Sequence, residues 1–128
     1  MYSVRKVKNV KKMILWKRLH YLCVQFQQHK TIRIMIRLNV FFEKKEDVKA
    51  EEINALCKEL VEKSLNDNGN VAYDYFVSGT RNGVMMICET WQNEDVLKVH
   101  MATEHFTTLV PKIEALTKSG LKLEQFAF

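Results

Sequence analysis

Residues 71–91 read VAYDYFVSGTRNGVMMICETW, two β-branched and aromatic runs on either side of a glycine-bounded turn. Strand periodicity puts Val71, Tyr73, Tyr75 and Val77 on one face of the first run, Val71 to Ser78. The second run, Val84 to Trp91, gathers Met85, Ile87, Glu89 and Trp91 on one side, and Gly79-Thr80-Arg81-Asn82-Gly83 joins the two as a hairpin loop. An antiparallel pair in mid-chain presents an apolar surface that the flanking sequence must cover.

Upstream, Asn66-Asp67-Asn68-Gly69-Asn70 is a dense turn signal. Before it, Ile53, Leu56, Cys57 and Leu60 recur at helical spacing behind Asp47, a residue suited to cap the helix. Glu43-Lys44-Lys45-Glu46 connects that helix to a first strand, Ile34 to Phe42, in which Ile34, Ile36, Leu38, Val40 and Phe42 face one way and Met35, Arg37, Asn39 and Phe41 the other. Downstream, Asn93 caps a short helix carrying Val96, Leu97, His100 and Met101, and Thr103 caps another carrying Phe106, Leu109, Val110, Ile113 and Leu116. Pro111 is expected to kink this last helix, Gly120 to end it, and Leu121 to Phe128 to form the final strand.

The order βαββααβ predicts an α+β, ferredoxin-like antiparallel sheet with helices on one face. All four strands carry large apolar groups on both sides, for example Phe41 beside Phe42 and Phe76 beside Tyr75. Helices from so short a chain cover one face only, so a homodimer with sheets packed face to face is expected.

Charge divides the chain. Residues 1–34 hold nine Lys or Arg and no Asp or Glu, whereas the remaining 94 hold eleven basic and fifteen acidic residues. The net +5 therefore combines +9 with −4, and the domain proper, 34–128, is mildly acidic, which argues against nucleic-acid binding. The basic N-terminal extension, 1–33, admits two readings. It is either upstream sequence joined by a start-site miscall or a non-functional extension, or an amphipathic helix over residues 10–27 that lies on an anionic membrane or docks on a partner. Membrane contact is expected only if that leader belongs to the protein. It lacks a secretory cleavage pattern, and Cys23, Cys57 and Cys88 are odd in number and widely spaced without a CxxC pair, so reduced thiols and a cytoplasmic location are expected.

The block from Cys88 to Phe106, with Glu89-Thr90-Trp91 at a strand end, then His100, Thr103 and His105, resembles the antibiotic biosynthesis monooxygenase family, and within it the small bacterial members described as quinol monooxygenases. The likeness in element order covers nearly all of residues 35–128. It implies a dimeric α+β barrel and an oxygenase that needs no metal or flavin, with molecular oxygen as co-substrate and a small aromatic quinol or anthrone as substrate. Such chemistry asks for an apolar pocket, a proton acceptor, and donors where negative charge collects.

On that resemblance His100 is the candidate proton acceptor, since imidazole exchanges protons near neutrality. Trp91 is a candidate aromatic wall with one N–H donor, and Asn39 a candidate amide donor. Tyr73, Tyr75, Glu89, His105 and Phe106 are candidates for contact with substrate. Four of these candidates have a structural alternative: His100 in a structural hydrogen bond, Trp91 as a core aromatic, Glu89 in an ion pair or hydrogen bond, and His105 packing or capping a turn. Strict alternation sets Asn39 on the side opposite the helices unless a bulge re-aims it. No metal site is expected: His100 and His105, five apart, diverge by about 140° around a helix, and no Cys or carboxylate completes a ligand set with them. Haem degradation is not expected either, because His100 falls where the haem-degrading relatives have Trp and Val110 where they have the haem-coordinating His. GxGxxG, P-loop and GxSxG motifs are missing from the sequence. A non-catalytic dimeric ligand-binding or stress-response module of the same fold remains the alternative function.

Overall fold

The computed structural model describes residues 34–128. The expectations for a basic extension over 1–33, its helix and Cys23 lie outside the described residues. Strand β1 (Ile36–Glu43) is followed by helix α1 (Ala50–Ser64), strands β2 (Asn70–Val77) and β3 (Val84–Trp91), helices α2 (Glu94–Met101) and α3 (Glu104–Ala115), and strand β4 (Lys122–Ala127). The four strands form one sheet in the order β2-β3-β1-β4 with antiparallel neighbours. This is the expected ferredoxin-like α+β arrangement, and its sheet is open rather than closed into a barrel.

Register decides which side chains meet. Ile36, Leu38 and Phe42 of β1 and Met85, Ile87 and Trp91 of β3 are buried beneath the helices, with Ile53, Cys57 and Leu60 of α1 packed fully out of water. Burying three such side chains from one helix stabilises by several kcal/mol, at roughly 1.5–3 kcal/mol per large apolar group. Asn93 and Thr103 accept the backbone N–H groups of Val96 and Phe106, as their cap positions predict.

Two local details, the start of α1 and the end of α3, differ from expectation. Asp47 does not cap α1: the helix starts three residues later at Ala50, with Lys49 at the cap making no side-chain bond and Glu51 and Glu52 meeting the positive end of the helix dipole instead. Pro111 lies inside α3, as the pattern predicts, and its missing N–H leaves the carbonyl of exposed Thr107 without its helical donor. Gly120 does not end that helix, which stops at Ala115; it turns the chain into β4 at φ +77°, where Thr117 Oγ1 accepts its N–H at 2.9 Å.

Gly69 closes the turn before β2 at φ +80°, and a Cβ there would lie 2.7 Å from the side chain of Val96 on α2. Only glycine permits both the left-handed backbone and this approach. With Gln92 N–H donating to Gly69 O at 2.9 Å, the turn is held against the start of α2. By contrast, every residue of β4 is exposed. On the uncovered face Phe76 and Phe126 are 48% and 50% exposed. Among the described residues no helix is long and apolar enough to cross a membrane.

Candidate active site

Glu89 lies on the apolar side of a central strand, paired with Leu38 of β1 on one flank and Tyr73 of β2 on the other. Alternation puts it under the helices, where it is buried. A cavity of about 220 Å³ opens between sheet and helices, walled by groups such as Leu38, Leu60, Tyr73, Phe106 and Ile113, and Glu89 supplies its carboxyl. No other acidic or basic side chain lines it among the described residues. Burial pushes the Glu89 carboxyl up to about 7, against a lowering influence from the Trp91 N–H.

The oxygens of that carboxyl have different surroundings. Oε2 accepts the indole N–H of Trp91 at 2.8 Å and lies 3.7 Å from Nε2 of His100, whereas Oε1 makes no hydrogen bond among the described residues. Trp91 is fully buried and packs on His100 with ring centroids 4.3 Å apart at 31°, and Phe106 meets the same imidazole edge-on at 5.1 Å. Three aromatic and acidic neighbours thus fix one ring plane.

Asp67, in the turn between α1 and β2, holds the other side of that ring. Its Oδ2 accepts from Nδ1 of His100 at 2.6 Å and from Nε2 of His105 at 2.8 Å. Thr103 donates its hydroxyl to His100 O at 2.7 Å and lies 3.2 Å from His105 Nε2, tying the junction of α2 and α3 to the cluster. A carboxylate accepting at Nδ1 selects the tautomer in which Nε2 carries the lone pair. That Nε2 is buried without a hydrogen-bond partner, and burial, with the neighbouring His105, lowers the His100 pKa against the raising influence of Asp67. His100 is therefore a neutral base facing the Glu89 carboxyl.

The structure brings Glu89, Trp91, His100, His105, Phe106 and Tyr73 together. Of these, Glu89, Tyr73 and Phe106 reach the cavity wall, with His100 behind Glu89 and Trp91 spending its N–H on the same carboxylate. Burial and the nearby Glu89 carboxyl push the Tyr73 phenol far up, so it serves as a neutral group. Tyr75 stands apart, bonded to Asn54 of α1 and stacked on Phe42. Asn39 is not brought to the cavity: β1 runs in unbroken register and directs it to the uncovered face. The bulge lies in β2, between Asn70 and Ala72.

The expectation that His100 and His105 diverge around one helix is corrected. The helix breaks after Met101 and restarts at Glu104, which turns both rings toward Asp67, the carboxylate that sequence spacing did not supply. Thirty-three and thirty-eight residues separate Asp67 from its partners, so no local pattern joins them.

The family model described as Antibiotic biosynthesis monooxygenase matches residues 35–112. The chain belongs to the antibiotic biosynthesis monooxygenase family. It is similar to the Bacillus subtilis (strain 168) protein named "Putative monooxygenase YcnE", 31% identical over 87 residues that cover 68% of this chain and 90% of that one. Among solved structures, a Bacteroides thetaiotaomicron VPI-5482 protein described as a conserved protein of unknown function and possible oxidoreductase is 47% identical, with a TM-score of 0.69 over 75% of this chain and 99% of that one. A crystal structure described as an antibiotic biosynthesis monooxygenase is 31% identical, covering 71% of this chain and 95% of its own, with a TM-score of 0.66. The Glu89 to Phe106 block that carried the resemblance lies inside the family match.

Proposed function

We propose that this family member is a monooxygenase of small aromatic quinols or anthrones that needs no cofactor, with Glu89 as the base that meets the substrate. The observation that carries the reading is a single carboxyl, with one oxygen unengaged, in the wall of an otherwise apolar cavity. Glu89 takes a proton from a phenol or from a methylene flanked by aromatic rings. His100 Nε2, 3.7 Å behind, receives it, and the imidazolium is stabilised by Asp67 on its other nitrogen. The resulting anion passes an electron to dioxygen and combines with it. For an anthrone two C–H bonds break, a C=O bond forms, and the second oxygen atom leaves as water with the two protons. Apolar walls keep bulk water from the anion.

The reading includes a cytoplasmic homodimer, in which a second copy covers the apolar open face around Phe41, Phe76 and Phe126. Support comes from the exposed aromatic groups on that face.

Oxygen uptake with a panel of hydroquinones and anthrones tests the function. Wild-type protein is expected to accelerate oxygen consumption above the buffer rate, and Glu89→Gln to reduce it by about 10²–10⁴-fold, the usual contribution of a general base. No acceleration across the panel, or equal rates in the variant, would overturn the reading. Ligand binding with no oxygen consumption would favour the non-catalytic module.

A further inference from the structure

We propose that Asp67, His100 and His105 form a binding site for one divalent transition-metal ion of the zinc type. Three elements meet there: the turn before β2, the last turn of α2 and the first turn of α3. Their donor atoms, one carboxylate oxygen and two imidazole nitrogens, lie within 4.8 Å of one another. Two imidazoles and one carboxylate suit zinc, cobalt, nickel or copper, whereas calcium and magnesium take oxygen ligands. Three protein ligands leave a fourth position for water.

The second observation is the orphaned Nε2 of His100. With a proton on Nδ1 for Asp67, Nε2 is a fully buried acceptor that faces another acceptor, Glu89 Oε2, at 3.7 Å. Whenever Glu89 is ionised, two acceptors face each other in a dry interior, a costly arrangement. An ion on Nδ1 reverses it, because the ring proton then sits on Nε2 and points at the Glu89 carboxylate. Carboxylate, imidazole and metal in a row is the way metal-bound histidines are commonly held, the outer carboxylate fixing tautomer and orientation. The buried atom that hydrogen bonding leaves unexplained is accounted for by a ligand on the opposite nitrogen.

Access and fit agree. His100 is sealed, but the side chains of His105 and Asp67 are 14% and 16% exposed, so an ion can enter from solvent. Hydrogen bonds of 2.6 and 2.8 Å are shorter than the roughly 3.3 Å between ligands each about 2.0 Å from a tetrahedral ion. The ligands must therefore spread by about 0.5–0.7 Å. Asp67 and His105 are on the open side and can do so, while Trp91 and Phe106 keep His100 in place. None of the three ligands lines the cavity, so the ion holds the base from behind and does not meet substrate. The site does not depend on the oxygenase reading, and the proton relay from Glu89 to His100 Nε2 belongs to the ion-free chain, because the ion-bound ring already carries its proton on that nitrogen.

Titration of the chelator-stripped full chain with zinc, followed by calorimetry and by nitrogen-15 spectra of the histidine rings, tests it. One ion per chain is expected, with His100 moving from the Nδ1–H to the Nε2–H tautomer. His105→Ala and Asp67→Asn should each weaken binding by at least about 100-fold, Glu89→Gln by about 10–100-fold as an outer partner, and Cys88→Ser not at all. His105 is near the surface, so its variant should fold even if the Asp67 variant does not, and circular dichroism checks both. No binding at millimolar zinc, binding that survives loss of His105, or a His100 tautomer unmoved at saturation would each overturn the proposal.

Discussion

The two faces of the sheet are built from alternate residues of the same strands, yet they have different chemistry. On β3, Glu89 and Trp91 point under the helices into the buried cluster, while Cys88 and Thr90, which alternate with them, point to the open side, where Arg37 reaches Thr90 at 3.1 Å. On β1, Leu38 walls the cavity and its neighbour Asn39 is turned away. One step along a strand separates a site residue from one that cannot reach the site, so strand parity is the strongest filter on any candidate residue in this fold.

The sharpest way to break this contrast is Trp91→Ala. Removing a fully buried indole that packs on His100 and donates to Glu89 should cost about 3–5 kcal/mol, measured by urea unfolding, and should leave the Glu89 oxygen without its donor. A loss below 1 kcal/mol would mean that the covered face is not the tightly packed side.

Acid–base linkage gives the next largest effect. The carboxyl of Glu89 is raised from 4.5 to about 7 in the folded chain. The folded state therefore holds its proton more tightly than the unfolded one, so this group's stabilisation is fully present below about pH 4.5 and is lost as pH rises through about 7. The change is worth roughly 3 kcal/mol. His100, whose pKa burial lowers, pulls the other way, adding stability that disappears as pH falls. The clean signature is thus the wild-type-minus-Glu89→Gln difference in metal-free protein, which should fall with rising pH between about 4.5 and 7. A difference that rises or stays flat contradicts the buried carboxyl.

The smallest effect on folding belongs to the open face. Phe76→Ser with Phe126→Ser should change the stability of the single subunit by only about 0.5 kcal/mol per site, since both rings are about half exposed. Sedimentation should nonetheless show that the double variant loses the concentration-dependent association expected of the wild type. A dimer that persists unchanged would move the interface away from this face.

Most of the frame was legible because it rests on local signals. The hairpin loop, the Asn93 and Thr103 caps and the alternation along β1 and β3 each depend on residues a few positions apart. Parity also gave a usable warning about Asn39. Glu89 was legible in a way that composition hid: a carboxyl in register with Met85, Ile87 and Trp91 is a charged group on an apolar face, and such a group is either paired or working. Asp67 was not legible. As sequence it is one of several turn-forming residues, and only the approach of Gly69 to Val96 and the break between α2 and α3 bring it to the two histidines. Helix boundaries were also hidden, because the choice between Asp47 and Lys49 as the start of α1 depends on tertiary contacts that propensity does not contain.

The uneven anchoring of the strands bears on how the cavity can open. Leu121 and Leu123, at the start of β4, form one lip of the cavity, and β4 is held by its ladder to β1 and little else, with every residue open to solvent. Amide protons there should exchange with solvent sooner than those of β3, because detaching a margin costs far less than melting the domain. The cavity thus has one wall where the architecture is cheapest to open, while Glu89 and its neighbours sit where it is dearest.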